Sequence, residues 1–299
     1  MEIRVLRYFL AVAREETITG AAEILHVTQP TLSKQLMDLE NELGKQLFIR
    51  GNRKITLTED GLYFRKRAQE IIDLVNKTES ELSNSTEQIS GEISIGAAET
   101  ESMRFISKII KKLQKNYPDI HYNLFSGNID SVSEKLDKGL LDFGIFVEPF
   151  DLSKFNSIKL PNSDYLCLMM RKDSPLANKD FIVPKDLYDI PLIVPTRTSN
   201  NPNFLKWLGR DVENLNIVAI YNLIYNASLL VEEGFGYAIC IDRLIPVGDN
   251  SNLTTIPLKP DITLSPIFVW KKYQVFSKTS QKFLDELKKE INTSNELNI

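Results

Sequence analysis

Gln29, Ser33 and Lys34 fall within a few residues of one another, on a segment whose opposite face is leucine. Glutamine and serine offer donors and acceptors, and lysine a cation, which is the chemistry that reads base edges in a major groove. Thr28, Pro30 and Thr31 stand at the same leading end, where threonine hydroxyls suit the sugar-phosphate backbone. A second basic set, Arg50, Arg53 and Lys54, surrounds Gly51-Asn52 and suits phosphates or a minor groove. On an isolated amphipathic helix such a polar face is ordinarily no more than solvated. The force of these residues rests on the elements that position them.

Two short amphipathic segments, Thr19 to Leu25 and Thr28 to Leu43, are separated only by His26 and Val27. This spacing predicts a helix, a tight turn and a second helix. Thr19 and Thr28 are placed to N-cap the two segments, and Pro30 fits a first helical turn. In the second segment Leu32, Leu36, Leu39 and Leu43 form one core-facing stripe. Pro30, Lys34 and Met37 then point the opposite way, with Ser33 on the flank and Gln29 at the tip. Leu6, Phe9, Leu10 and Ala13 predict a supporting first helix. After Gly44, a helix C-cap, QLFIR-GN-RKITL predicts a hairpin with a basic tip.

The stretch LRYFLAVAREETITGAAEILHVTQPTLSKQLMDLENELGKQLFIRGNRKITLTEDG resembles the winged helix-turn-helix of LysR-type transcriptional regulators. Ala21-Ala22, QPTLS, LENELGKQLF and the closing LTEDG fall where that family has them, without a gap. Lys34 stands where the family often has arginine, which keeps the cation but loses the rigid fork.

Length and composition agree with a globular chain of about two domains. The formal charge of −4 argues against nucleic acid, but its distribution does not. Residues 1–67 carry eleven Lys/Arg and nine Asp/Glu; of totals of 36 and 40, this leaves 25 and 31 for the remainder. Cys167 and Cys240 each sit inside an apolar run, the pattern of buried thiols in a reducing compartment rather than of a disulfide framework. The apolar run at Tyr8 to Ala13 is too short for a signal peptide, and no run approaches a bilayer span, so a cytoplasmic chain with no membrane partner is expected.

From Thr58, a further N-cap, the chain reads as one long helix. Phe64, Ala68, Ile71, Val75, Thr78 and Leu82 step alternately by four and three, an a/d seam that predicts a dimerisation helix. The resemblance implies the same. A dimer places two reading helices on successive major-groove faces. Ser83 to Gly91 marks a polar hinge.

Beyond Glu92 strand-like and helix-like runs alternate, which predicts βαβ units and parallel sheets. Pro161 and Pro266 bracket a second set of elements, so two α/β lobes joined by two crossovers are expected. SGNIDSVSEKLDKGLLDFGIF, RKDSPLA and VEEGFGYAI sit in the order of the family's effector domain, which is periplasmic-binding-protein-like, of type II. The expected fold is thus multi-domain α+β. It comprises a winged helix-turn-helix (residues 1–58), a dimerisation linker helix (59–90) and two effector lobes (91–161 with 266–299, and 162–265).

A cleft between lobes uses strand ends and helix N-termini. The resemblance implies contacts from Glu99, Thr100, Gly127, Asn128, Val147 and Glu148 in one lobe. Thr196, Arg197, Ser199 and Asn226 match from the other. Arg197 can clamp a carboxylate, whereas Glu99 and Glu148 repel one. Asn128 and Thr100 also suit plain helix caps.

His26 and His121 are the only histidines, and no Gly-rich phosphate loop or G-x-S-x-G elbow occurs. No metal site, cofactor or catalytic constellation is expected. The reading is a regulator that binds double-stranded promoter DNA and answers to a small-molecule effector. A homodimer is expected, with a homotetramer implied by the resemblance and RNA polymerase as a candidate partner. The alternative is a cytoplasmic solute-binding protein with an N-terminal dimerisation module.

Overall fold

The computed structural model of the chain describes residues 1–51, 54–83, 89–147, 150–197, 201–209 and 211–296. They form two compact units, Met1–Ser85 and Thr86–Ile299.

The first unit contains α1 (Ile3–Glu15), α2 (Ile18–Ile24), α3 (Gln29–Leu43), the hairpin strands β1 (Phe48–Arg50) and β2 (Ile55–Leu57), and α4 (Glu59–Ser83). Thr28 caps α3 as expected, accepting the Thr31 amide. The cap of α2 is Thr17, which accepts the Gly20 amide, and Thr19 lies inside the helix. Either threonine satisfies the spacing, and the β-region backbone at Thr17 decides between them. Leu32, Leu36 and Leu39 are buried, while Leu43 is exposed at the helix end. Gly44 closes α3 in the left-handed region, at φ 63°. The core joins Leu6, Phe9 and Val12 of α1 to Ala21, Leu36, Phe48 and Ala68. Thr58 caps α4 through the Gly61 amide and donates its hydroxyl to Gln46 O. Gly61 is needed there, since a Cβ would stand 2.1 Å from the Leu47 carbonyl oxygen.

The second unit holds two sheets. One has the order β4 (Ile120–Ser126), β3 (Gly91–Ala97), β5 (Phe143–Val147), β13 (Pro266–Lys271), β6 (Phe155–Lys159). The other runs β11 (Leu253–Pro257), β7 (Asp164–Arg171), β10 (Tyr237–Ile241), β8 (Leu192–Pro195), β9 (Ile217–Tyr221), with β12 (Thr263–Leu264) also pairing β7. Both are mixed rather than parallel. β13 runs antiparallel to β5 and β6, and β7 runs antiparallel to β10, because the strands beside the two crossovers enter their sheets reversed. The connections touch where the Leu160 amide donates to Pro266 O.

Each sheet is covered on both faces. In the first, α5 (Met103–Asn116) and α9 (Lys278–Glu296) pack on one side, and α6 (Ile129–Asp137) on the other. In the second, β7 sends Leu166, Leu168 and Met170 toward α7 (Pro202–Leu208), and Cys167 and Met169 toward α8 (Ile224–Glu232). This period of two, apolar on both faces, marks a strand buried on both sides.

Candidate nucleic-acid interface and ligand cleft

The leading turn of α3 projects from the first unit. Thr28, Gln29, Pro30, Thr31 and Lys34 are exposed and Ser33 is half-buried on the flank. The Thr28 and Thr31 hydroxyls lie 2.8 Å apart and share a hydrogen bond, which fixes the tip. At the hairpin the cations are already engaged. Arg50 lies 3.6 Å from Glu40, whose other oxygen accepts the Leu47 and Phe48 amides, and Lys54 pairs with Glu16 at 2.5 Å. Arg53 lies outside the described residues.

The α4 seam divides. Phe64 meets Phe9 edge to face at 4.8 Å and Ala68 is fully buried, so both belong to the core of their own unit. That face continues at Ile72 rather than Ile71, and Arg7 donates to Asn76 further along. Val75 is partly buried, whereas Ile71, Leu74, Thr78 and Leu82 are exposed. A strict seven-residue repeat drifts by about 20° per heptad on a straight helix, so one sequence stripe passes from one face to another.

In the second unit a cavity of about 380 Å³ opens at the carboxyl ends of strands from both sheets, the usual place for a ligand in open α/β folds. Glu99, Gly127, Asn128, Val147, Thr196 and Arg197 line it as expected. Thr100 does not. Its hydroxyl donates to the buried Asp164 carboxylate at 2.5 Å, so it ties the two sheets together. Asn226 is exposed on α8 and away from the cavity. Glu148 and Ser199 lie outside the described residues.

Sequence reasoning missed Asn201, Phe204, Tyr221, Asn222 and the isoleucines Ile224, Ile239 and Ile241. Asn201 had a signal, as the cap before Pro202. The apolar lining had none, because strand-end isoleucines read as ordinary core.

Polar groups of the lining are largely satisfied within the protein. Glu99 accepts the Ile224 amide at 2.6 Å, and Arg197 donates to Asp130 at 2.7 Å; both contacts run from one lobe to the other. Asn128 accepts the Ser131 amide. The Tyr221 hydroxyl donates to Ile239 O, and burial pushes that phenol well above its ordinary range. Among the described residues no group of three His, Cys, Asp or Glu is placed to hold a metal ion, and no helix is long and apolar enough to cross a membrane.

Residues 3–62 match the bacterial regulatory helix-turn-helix protein, lysR family, and residues 86–292 match the LysR substrate binding domain. The chain belongs to the LysR family. It is a DNA-binding transcriptional regulator with a substrate-binding domain. Among LysR relatives, it is 29% identical over 293 residues to the HTH-type transcriptional regulator BsdA of Bacillus subtilis, covering 95% of this chain and 99% of that one. With the Hca operon transcriptional activator HcaR of Escherichia coli it shares 28% over 279 residues, covering 91% and 92%. Its fold is similar to that of full-length CbnR complexed with target DNA, with a TM-score of 0.77 at 19% identity over 98% of this chain and 100% of that one. Full-length OxyR from Pseudomonas aeruginosa gives a TM-score of 0.56 at 21% identity, covering 97% and 99%.

Proposed function

We propose that this LysR regulator reads double-stranded promoter DNA with the leading turn of α3, and that a small-molecule effector in the cavity between its lobes controls the output. Gln29, Ser33 and Lys34 contact base edges, with Thr28, Pro30 and Thr31 beside the backbone. Arg50, Arg53 and Lys54 of the hairpin reach phosphates or the minor groove. Supporting this is the Thr28-capped tip, which aims an exposed Gln29 and Lys34 away from the leucine core.

The division into residues 1–58, 59–90 and two lobes, 91–161 with 266–299 and 162–265, belongs to this reading. So does a cytoplasmic homodimer joined through the exposed stripe of α4 and assembling as a homotetramer, with RNA polymerase as a partner at the promoter. It acts by binding and not by catalysis; His26 and His121 stand exposed in separate units, which offers a serine or cysteine nucleophile no base.

Gel shifts across a salt series test the reading face. Gln29→Ala relaxes sequence preference, and Lys54→Ala weakens all sites and flattens the slope of log K against log salt by up to about 1. Unchanged binding in both variants would place the reading face elsewhere.

A further inference from the structure

We infer that the cavity between the lobes takes an uncharged, largely apolar molecule bearing a carbonyl or hydroxyl group, and that the protein's own Glu99 keeps carboxylates out. The inference rests on the reading of this cavity as the effector site.

A free helix N-terminus facing a cleft is the feature that draws an anion, through its unpaired amides and dipole. Here the first amide of α8 is filled from within, since the Glu99 carboxylate reaches across from the loop after β3 and accepts the Ile224 N–H at 2.6 Å. Among the described residues no Lys or Arg side chain pairs with Glu99. The one arginine in the lining, Arg197, is held by Asp130 at 2.7 Å, so its charge is already balanced. A carboxylate entering the cavity therefore meets a fixed negative charge and an occupied amide, and finds no uncommitted cation.

What the lining still offers is different. The side-chain oxygens of Asn128, Asn201 and Asn222 accept backbone amides, of Ser131, of Asn203 and Phe204, and of Leu223. Their NH₂ groups remain as donors, and the second Glu99 oxygen remains as an acceptor. Neutral donors with one acceptor fit the carbonyl and N–H, or the hydroxyl, of an uncharged ligand. The rest of the wall is apolar, with Phe204, Leu166 and Leu264 among its residues. A volume near 380 Å³ suits a compact molecule.

Phenylacetamide and phenylacetate are close in shape and differ in charge, so the pair isolates the point. Calorimetric titration of the full chain with each is expected to give at least tenfold tighter binding of the amide. In Glu99→Ser, which frees the amide of α8, phenylacetate is expected to gain at least tenfold and to overtake the amide. Glu99→Gln, which keeps a side-chain acceptor for Ile224 N–H, serves as the second variant and is expected to narrow the preference; thermal unfolding without ligand confirms that both variants fold. Wild-type preference for phenylacetate, or an unchanged preference in both variants, overturns the inference and leaves the cavity as a ligand site. Binding of neither compound to any of the three proteins overturns the inference together with the reading of the cavity.

Discussion

Thr100 donates its hydroxyl to the Asp164 carboxylate at 2.5 Å, and both residues are buried where the chain passes from the first sheet of the effector domain to the second. A carboxylate in that position is an uncommon joint. Burial pushes Asp164 above its ordinary value of 3.8, against the downward pull of the hydrogen bonds from Thr100 and from the Glu101 backbone. A carboxyl whose folded pKa is raised stabilises the fold most below its unfolded pKa, and loses that contribution as pH rises through the folded one. Stability of the second unit is therefore expected to fall with pH above about 3.8 in wild type, and less so in Asp164→Asn. Trp207 and Trp270 both belong to this unit, so tryptophan fluorescence in urea at pH 4 to 7 reads it directly. Thr100→Val leaves a buried carboxylate short of a donor and is expected to cost about 1–3 kcal/mol at neutral pH.

Gly61 permits the first turn of α4 to lie against the backbone at Leu47. Gly61→Ala places a methyl group where a carbonyl oxygen stands, and backbone is slow to yield. A loss of about 1–3 kcal/mol from the N-terminal unit is expected. Amide hydrogen exchange in α1 and α3 measures it without reference to DNA.

The two faces of α4 separate folding from assembly. Phe64→Ala, at the contact with Phe9, is expected to destabilise the N-terminal unit by about 3–5 kcal/mol. Ile71→Asp with Leu74→Asp changes only exposed positions. It is expected to preserve folding, shift sedimentation from dimer or tetramer to monomer, and weaken DNA retention. Unchanged sedimentation would remove the proposed interface.

Cys167 and Cys240 face each other in register across β7 and β10, with sulfurs 3.4 Å apart and each residue about 1% exposed. The hydrogen bond with Cys240 and then burial push the Cys167 thiol well above its ordinary pKa. A dithionitrobenzoate reagent at pH 8 is expected to release no colour from the folded chain within minutes, and two equivalents after denaturation, since only the exposed thiolate reacts.

The elements that carry the reading face were legible because every local signal agreed. Thr28, Pro30, the leucine stripe and Gly44 each point to the same helix, and its exposed residues follow by subtraction. Strands β6 and β11 passed unnoticed because FNSIK and LTTIP are short and mostly polar, and they owe their place to β13 and β7 rather than to their own pattern. The antiparallel entry of β7 and β13 is likewise a property of the crossovers, which no single run of residues encodes. On α4 the repeat was visible, but which of its members belonged to the domain core depended on where α1 lies. In the cleft, strand ends and caps predicted most contacts from the loops, while the choice of Asn222 over Asn226 was set by the rotation of α8.

Lys54 and Arg50 reach any duplex already partnered by Glu16 and Glu40. A phosphate must compete with a carboxylate for each, so part of the charge attraction common to all DNA is cancelled in advance. Random sites, whose hold on a protein is almost wholly electrostatic, lose proportionately more than a site that also satisfies Gln29. Two glutamates in the wing thus act against the competing genome, and they raise selectivity by lowering affinity.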